Sequence, residues 1–270
     1  MSPASETRAN ESTAASADAV HLLGVRVHPL TWERLRNVIV DAVVKRRRSI
    51  IANHNLHSVY LYHHDAGLRA FYEDAAVVHI DGMGLVFFGK LNGACLNAAQ
   101  RVTPLDWIHP LLADAQRRNW RVFYLGSRPG VAARGAAILK AEFPRLQLET
   151  AHGYFDARRE SAENRAVVET INRFAPDLLL VGMGMPRQEK WIHENRDALD
   201  AGAIFNVGGL MDYIAGETAT PPRWMGRVGL EWLFRLCSDP KRLWRRYLVE
   251  PWFVMKLFFD ELLRKGRPAL

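Results

Sequence analysis

The residues of this 270-residue chain that could do chemistry gather where short apolar runs end. The run over residues 75–80 passes straight into Asp81-Gly82-Met83-Gly84, and the run over residues 49–53 passes into His54-Asn55-Leu56-His57. A carboxylate at the carboxyl end of a buried strand, followed at once by glycines, stands where open α/β sheets keep their chemistry; the alternative is a structural acid that caps the next helix. Asp81 is therefore the first candidate for the reacting group. The same kind of strand end recurs at Gly126-Ser127-Arg128-Pro129-Gly130, at Gly182-Met183-Gly184-Met185-Pro186-Arg187-Gln188-Glu189 and at Gly208-Gly209. Glycine turns opening onto helix N-termini offer free N–H groups to phosphates. In the second motif Arg187 could meet a diphosphate and Gln188 a uracil or sugar edge, while Glu189 suits the helix dipole. Neither turn is a dinucleotide fingerprint or a P-loop, and either one alone could be a tight strand-to-helix turn. Thr103 reads as a helix N-cap ahead of Pro104 or as a site residue; Arg101 beside it has no evident structural duty.

Metal chemistry lacks its usual ligands. No Asp-x-Asp pair occurs, so the acidic couple that commonly holds a divalent ion against a nucleotide-sugar diphosphate is missing, and countercharge must come from Arg or Lys. His54, His57, His63, His64 and His79 follow no ligand spacing and read as surface and turn residues. Cys95 and Cys237 stand far apart and read as reduced thiols. The expectation is no metal and no cofactor.

Strands and helices alternate to position these groups. Strands are expected over residues 22–27, 49–53, 75–80, 121–125, 146–151, 177–181 and 203–207. Helices are expected from Thr31, and over residues 56–74, 84–91, 104–118, 130–143, 159–174 and 186–195. Apolar runs without strict alternation suit strands buried on both faces. The pattern implies an α/β fold: a Rossmann-like, mostly parallel sheet flanked by helices. From Gly216 onward it is helical only. The expected organisation is a disordered leader over 1–19, a catalytic domain over 20–216 and a C-terminal helical appendage over 217–270.

Charge is as uneven as structure. Between Thr218 and Leu270 stand 11 Lys and Arg against 5 Asp and Glu, which is six of the chain's net +7, together with four of its eight tryptophans. Arg223, Arg227, Arg235, Arg242, Arg245 and Arg246 are interleaved with Trp224, Trp232, Trp244 and Tyr247. Basic amphipathic segments rich in Trp and Phe fit an anionic membrane surface. No nucleic-acid module is visible, no run of 18 apolar residues occurs, and the polar N-terminus lacks the features of a signal peptide.

Asn53-x-Asn55, Asp81-Gly82-x-Gly84, Arg101-Val102-Thr103, Leu125-Gly126, His152-Gly153-Tyr154-Phe155, Gly182-Met183-Gly184-x-Pro186-x-Gln188-Glu189, Phe205-Asn206-Val207-Gly208-Gly209 and the arginine-rich tail resemble, in order, the WecG/TagA/CpsF glycosyltransferases (glycosyltransferase family 26). Residues 53–58 and 101–107 look most like the GumM-type branch that makes exopolysaccharide. The resemblance implies an inverting, metal-independent transferase at the cytoplasmic face of the plasma membrane. It would move a sugar from a UDP-sugar to a sugar on undecaprenyl diphosphate, with Asp81 as general base and the tail closing over the site. The residues expected to bind substrate are Asn53, Asn55, Arg101, Thr103, Gly126, Ser127, Gly184, Arg187, Gln188, Glu189, Gly208, Arg223, Arg227, Arg235, Arg242 and Arg245. Members making teichoic acid linkage units usually carry Thr at the position of Asn53, so glucose is the expected donor sugar and N-acetylmannosamine the alternative. The rival readings are a nucleotide-regulated, non-catalytic membrane-binding module and a Rossmann-like oxidoreductase. Homo-oligomerisation is left open.

Overall fold

The computed structural model describes residues 19–265; the leader expected over residues 1–19 lies outside them except for Ala19, and the side chains of Arg223 and Arg227 are also outside what is described. The described residues open with an antiparallel hairpin, β1 (Val20–Leu22) and β2 (Val25–Val27), in place of the single strand expected over 22–27. Leu23 and Gly24 both take positive φ, 53° and 76°, the two-residue turn whose twist matches paired strands. A buried leucine in that backbone region gives no turn signal, so the apolar run reads as unbroken.

Helix α1 (Trp32–Val44) starts after Thr31 as its lead-in predicts, and β3 (Ser49–His54) follows. The helix expected over 56–74 is two, α2 (Leu56–His64) and α3 (Ala66–Asp74). Asp65 between them is extended, and its carboxylate accepts from the Leu68 N–H at 3.1 Å, so a second N-cap interrupts the helical periodicity. Next come β4 (Val77–Ile80), α4 (Met83–Leu91), α5 (Pro104–Arg118), β5 (Arg121–Gly126), α6 (Val131–Glu142) and β6 (Gln147–Ala151). Then α7 (Ala162–Phe174), β7 (Leu178–Gly182), α8 (Arg187–Asn195), β8 (Ala203–Asn206) and the short α9 (Leu210–Ile214) complete the alternation.

Six strands form one wholly parallel sheet in the order β4-β3-β8-β7-β5-β6. Successive side chains point to opposite faces. Ile51, Val122, Tyr124, Leu178, Leu180 and Phe205 pack under α1, α5, α6 and α9. Ile50, Ala52, Phe123, Leu125, Leu179 and Ile204 pack under α3, α7 and α8. Burial on both faces is why the strands read as continuous apolar runs.

The connections decide where a ligand can sit. From β5 the chain moves outward through α6 to the edge strand β6, whereas from β7 it moves the other way through α8 to β8. Likewise β3 leads back to the edge strand β4, while β8 leads to α9 against α6. Crevices open at the carboxyl ends of such diverging strands. Glycine is required there: a Cβ on Gly182 would stand 2.5 Å from the Gly208 carbonyl oxygen and closer still to the Tyr124 hydroxyl.

Beyond α9 the chain forms α10 (Arg223–Arg227), α11 (Glu231–Ser238), α12 (Pro240–Trp244), a π-helical turn (Arg245–Val249) and α13 (Glu250–Lys265). Val254 and Phe258 of α13 are buried in one apolar cluster with the β1–β2 hairpin, Val59 of α2 and Leu85, Val86 and Phe88 of α4. The Leu23 N–H donates to Glu261 Oε2 at 3.0 Å. The tail thus returns across the carboxyl ends of the strands and packs on the β1–β2 hairpin.

Candidate active site

Asp81 leaves β4 with its N–H donating to the His54 carbonyl at 2.8 Å, which extends the β3–β4 ladder by one bond. Gly82, at φ 128°, then turns the chain abruptly into α4. Because β3 and β4 are neighbours, Asp81 lies beside Asn55, which caps α2: its side chain accepts from the Ser58 N–H at 3.1 Å and Ser58 Oγ accepts from the Asn55 N–H at 2.8 Å.

Two hollows meet at this point. A polar chamber of about 480 Å³ lies under the carboxyl ends of β3, β7 and β8 and is lined by Asn53, Thr103, Gly184, Gln188, Asn206 and Gly208, with Arg242 and Arg245 of the tail opposite. A chamber of about 570 Å³ runs between α4 and the tail, lined by Met83, Phe87, Val228, Trp232 and Val254, with Arg101 at its wall. Asn55, His57, Asp81, Arg235, Arg246, Tyr247 and Glu250 line both. The partition therefore has one half from the sheet and one half from the tail.

A buried polar network braces the sheet half. Asn53 donates from Nδ2 to the Asn206 carbonyl at 2.8 Å, which ties the end of β3 to that of β8. Asn206 Nδ2 and Gln188 Nε2 donate to Glu189 Oε1 at 2.9 and 2.7 Å. Gln188 Oε1 accepts from the N–H groups of Gly184 and Gly208, at 3.2 and 3.1 Å. One amide thus holds both glycine turns at the mouth of the polar chamber. Burial raises the Glu189 carboxyl above the ordinary range, against the pull of its two donors, and among the described residues Oε2 has no hydrogen-bond partner.

The tail half carries cations. Burial acts to lower the Arg235 guanidinium, but Tyr213, Tyr247, Asp81 and Glu231 outweigh it and its pKa stands above the ordinary value. Arg246, in the π-helical turn, is lowered by burial and by Arg235, against Tyr247, Glu250 and Asp81. π-Helical turns are rare and often found at functional sites; this one puts Arg245, Arg246 and Tyr247 on the chambers.

Of the residues expected to bind substrate, Asn53, Asn55, Thr103, Gly184, Gln188, Gly208, Arg235, Arg242 and Arg245 line the polar chamber, and Arg101 the other. Thr103 occupies the N-cap position of α5 without making a side-chain cap bond. Arg101 is already paired, with Asp106 at 2.9 Å and Glu231 of α11 at 2.7 Å, so it ties the tail to the core. Gly126, Ser127, Arg187 and Glu189 line neither chamber. The Ser127 hydroxyl bonds that of Tyr124 at 2.9 Å, and Arg187 donates to the Phe155 carbonyl at 2.7 Å and stacks on its ring. Arg223 and Arg227 have side chains outside the described ones.

The histidines divide differently from the surface and turn reading. His54 and His79 are buried, and burial holds them down to about 3 and about 4. His57 is in the site. Sequence reasoning also passed over Glu250 and Asp212, which line the polar chamber, and read Arg246 and Tyr247 only as part of the basic tail; the one available signal was that His57 falls two residues after Asn55 on the same strand-end motif. Among the described residues no group of three or more His, Cys, Asp or Glu is arranged to hold a metal, and no helix is long and apolar enough to cross a membrane.

The sequence profile of the "Glycosyl transferase WecG/TagA/CpsF family" matches residues 20–268. The chain is similar to proteins named N-acetylglucosaminyldiphosphoundecaprenol N-acetyl-beta-D-mannosaminyltransferase. The Bacillus subtilis (strain 168) protein is 30% identical over 185 residues, 68% of this chain and 69% of that one. The Bacillus spizizenii protein is 33% identical over 181 residues, 67% of each. The Staphylococcus aureus (strain MW2) protein is 29% identical over 198 residues, 73% of this chain and 74% of that one. A parallel α/β sheet with Asp81 at a strand end facing a cationic tail, and a profile match over nearly the whole length, leave no room for an oxidoreductase or a non-catalytic module: the chain belongs to the WecG/TagA/CpsF family of glycosyltransferases.

Proposed function

We propose that this enzyme transfers N-acetylmannosamine, with inversion, from a UDP-sugar to N-acetylglucosamine carried on undecaprenyl diphosphate at the cytoplasmic membrane surface. The observation that carries the reading is the pair of chambers sharing one wall, with Asp81 on it. The polar chamber suits the nucleotide-sugar. The other, with Phe87, Val228 and Trp232, suits a sugar whose diphosphate and lipid lead away along an apolar surface. The acceptor oxygen attacks the anomeric carbon as the bond to the β-phosphate oxygen breaks. The hydroxyl proton passes to the Asp81 carboxylate, and the charge left on UDP is met by Arg235 and Arg246. A single displacement on an α-linked donor gives the β-glycoside that the relatives' names describe.

The expectation of an exopolysaccharide product rests on residues 53–58 and 101–107, and that of glucose as donor on Asn53. Its amide is committed to Asn206, so its identity bears on strand bracing as much as on the donor, and the relatives favour N-acetylmannosamine. Membrane docking is supported by Trp252, 75% exposed, with Phe259, Leu263 and Phe87 also exposed and Lys256 among them.

Transfer to a short-chain lipid-diphosphate-N-acetylglucosamine, measured with UDP-N-acetylmannosamine and with UDP-glucose, tests the reading. Asp81→Asn should lower turnover by about 10²–10⁴-fold with UDP binding retained. Preference for UDP-glucose would restore the glucose reading, and undiminished turnover by the variant would remove Asp81 from the chemistry.

A further inference from the structure

His57 and Glu250 are 193 positions apart in sequence, yet His57 Nδ1 lies 2.6 Å from Glu250 Oε2, with the two side chains 17% and 13% exposed. His57 is the second residue of α2 and Glu250 the first of α13, so the pair joins core to tail. Both belong to the wall common to the two chambers, with Asp81, Asn55, Arg235, Arg246 and Tyr247.

The hydrogen on this imidazole can be assigned from chemistry. A carboxylate oxygen only accepts, so Nδ1 donates to Glu250, and in the neutral ring Nε2 is left as an acceptor. No hydrogen-bond partner of Nε2 is found among the described residues. The other groups on the wall are differently engaged: Asn55 Oδ1 caps α2, Glu250 Oε2 holds His57, and the two guanidinium groups only donate. The acceptors left for a hydroxylated ligand include the Asp81 carboxylate and His57 Nε2, with Glu250 Oε1 and the Tyr247 hydroxyl on the tail side of the same wall. The first two, on one wall, fit a ligand that presents two neighbouring hydroxyls.

We propose that His57, oriented by Glu250, accepts a hydrogen bond from the acceptor-sugar hydroxyl adjacent to the one that reacts at Asp81, so that the site recognises a vicinal diol. The inference rests on the glycosyl-transfer reading above. Because Glu250 belongs to the tail, the diol site is complete only when the tail is docked. No proton is transferred at His57: the adjacent hydroxyl keeps its hydrogen, and only the hydroxyl at Asp81 loses one.

A double-mutant cycle between enzyme and substrate tests this. The full-length wild type, His57→Phe and His57→Gln are assayed on the lipid-diphosphate-N-acetylglucosamine acceptor and on analogues deoxygenated at each position next to the reacting hydroxyl. Melting temperature and UDP-induced thermal shift are measured alongside. One deoxygenation should cost the wild type about five- to tenfold in kcat/KM for the acceptor. His57→Phe should lose about as much on the parent acceptor and nothing further on that analogue, with the UDP shift unchanged. His57→Gln, which keeps an acceptor oxygen, should regain part of the sensitivity to deoxygenation and guards against a folding artefact in the Phe variant. Independent, multiplying losses would overturn the proposal, and so would a loss of UDP affinity with acceptor kinetics intact. Absence of any transfer by the wild type would instead overturn the reading beneath it.

Discussion

Arg246→Met should separate activity from stability. The guanidinium stands on the wall of both chambers, depressed in pKa by burial and by Arg235, with Tyr247, Glu250 and Asp81 acting the other way. A base whose folded pKa is lowered is charged at the expense of stability at any pH below that pKa. Methionine keeps an unbranched apolar stem of similar reach and removes the charge. Without ligand the variant should therefore melt at or above the wild-type temperature. A charge-assisted hydrogen bond to a diphosphate contributes about 1.5–3 kcal/mol, so UDP affinity or turnover should fall by about 10- to 150-fold. Thermal unfolding with and without UDP reads both quantities, since a ligand that binds only the folded state raises stability as RT ln(1 + [L]/Kd). Arg235→Met is the contrast. There the acidic and phenolic surroundings outweigh burial and raise the pKa, so its removal should cost stability as well as affinity. Arg246→Met with a lowered melting temperature and an unchanged UDP shift would refute the reasoning, because the charge would then be structural.

Glu189→Gln should become more favourable as pH rises. Burial raises the folded pKa of this carboxyl above its unfolded value, so its contribution is complete at low pH and is lost as pH rises through the folded pKa. Denaturant titrations from acid to neutral pH should show the stability of the variant relative to wild type increasing; the opposite slope would mean that the two donors stabilise an ionised group. Gly182→Ala should cost about 1–3 kcal/mol or more, because the new methyl meets the Gly208 carbonyl at 2.5 Å and the Tyr124 hydroxyl closer still. An unaltered denaturation midpoint would show that the strand ends can spread. Trp252→Glu with Phe259→Glu should weaken sedimentation with anionic vesicles while leaving transfer to a soluble short-chain acceptor unchanged; retained vesicle binding would remove α13 from the membrane face.

Much of this protein could be read from the order of its residues. Strands buried on both faces must be continuous apolar runs, and their ends must be glycine or polar where a ligand or another strand end comes close. The alternation, the parallel sheet, Asp81 at a strand end and the basic, tryptophan-rich tail are all local patterns, and local patterns are what a sequence displays. What stayed hidden depends on distant groups meeting. Asp81 lies beside Asn55 only because β4 pairs with β3. Arg187 and Glu189 sit in a motif that looks like a ligand loop, yet packing turns Arg187 onto Phe155 and buries Glu189 under Asn206. Arg101 has its structural duty after all, toward Glu231, 130 positions away. His57, one of five histidines with no ligand spacing, enters the site because α13 folds back and sets Glu250 against it. Periodicity records which side of an element is apolar, but not which element will pack there; only the tertiary structure decides which charge is free to meet a substrate and which is already engaged.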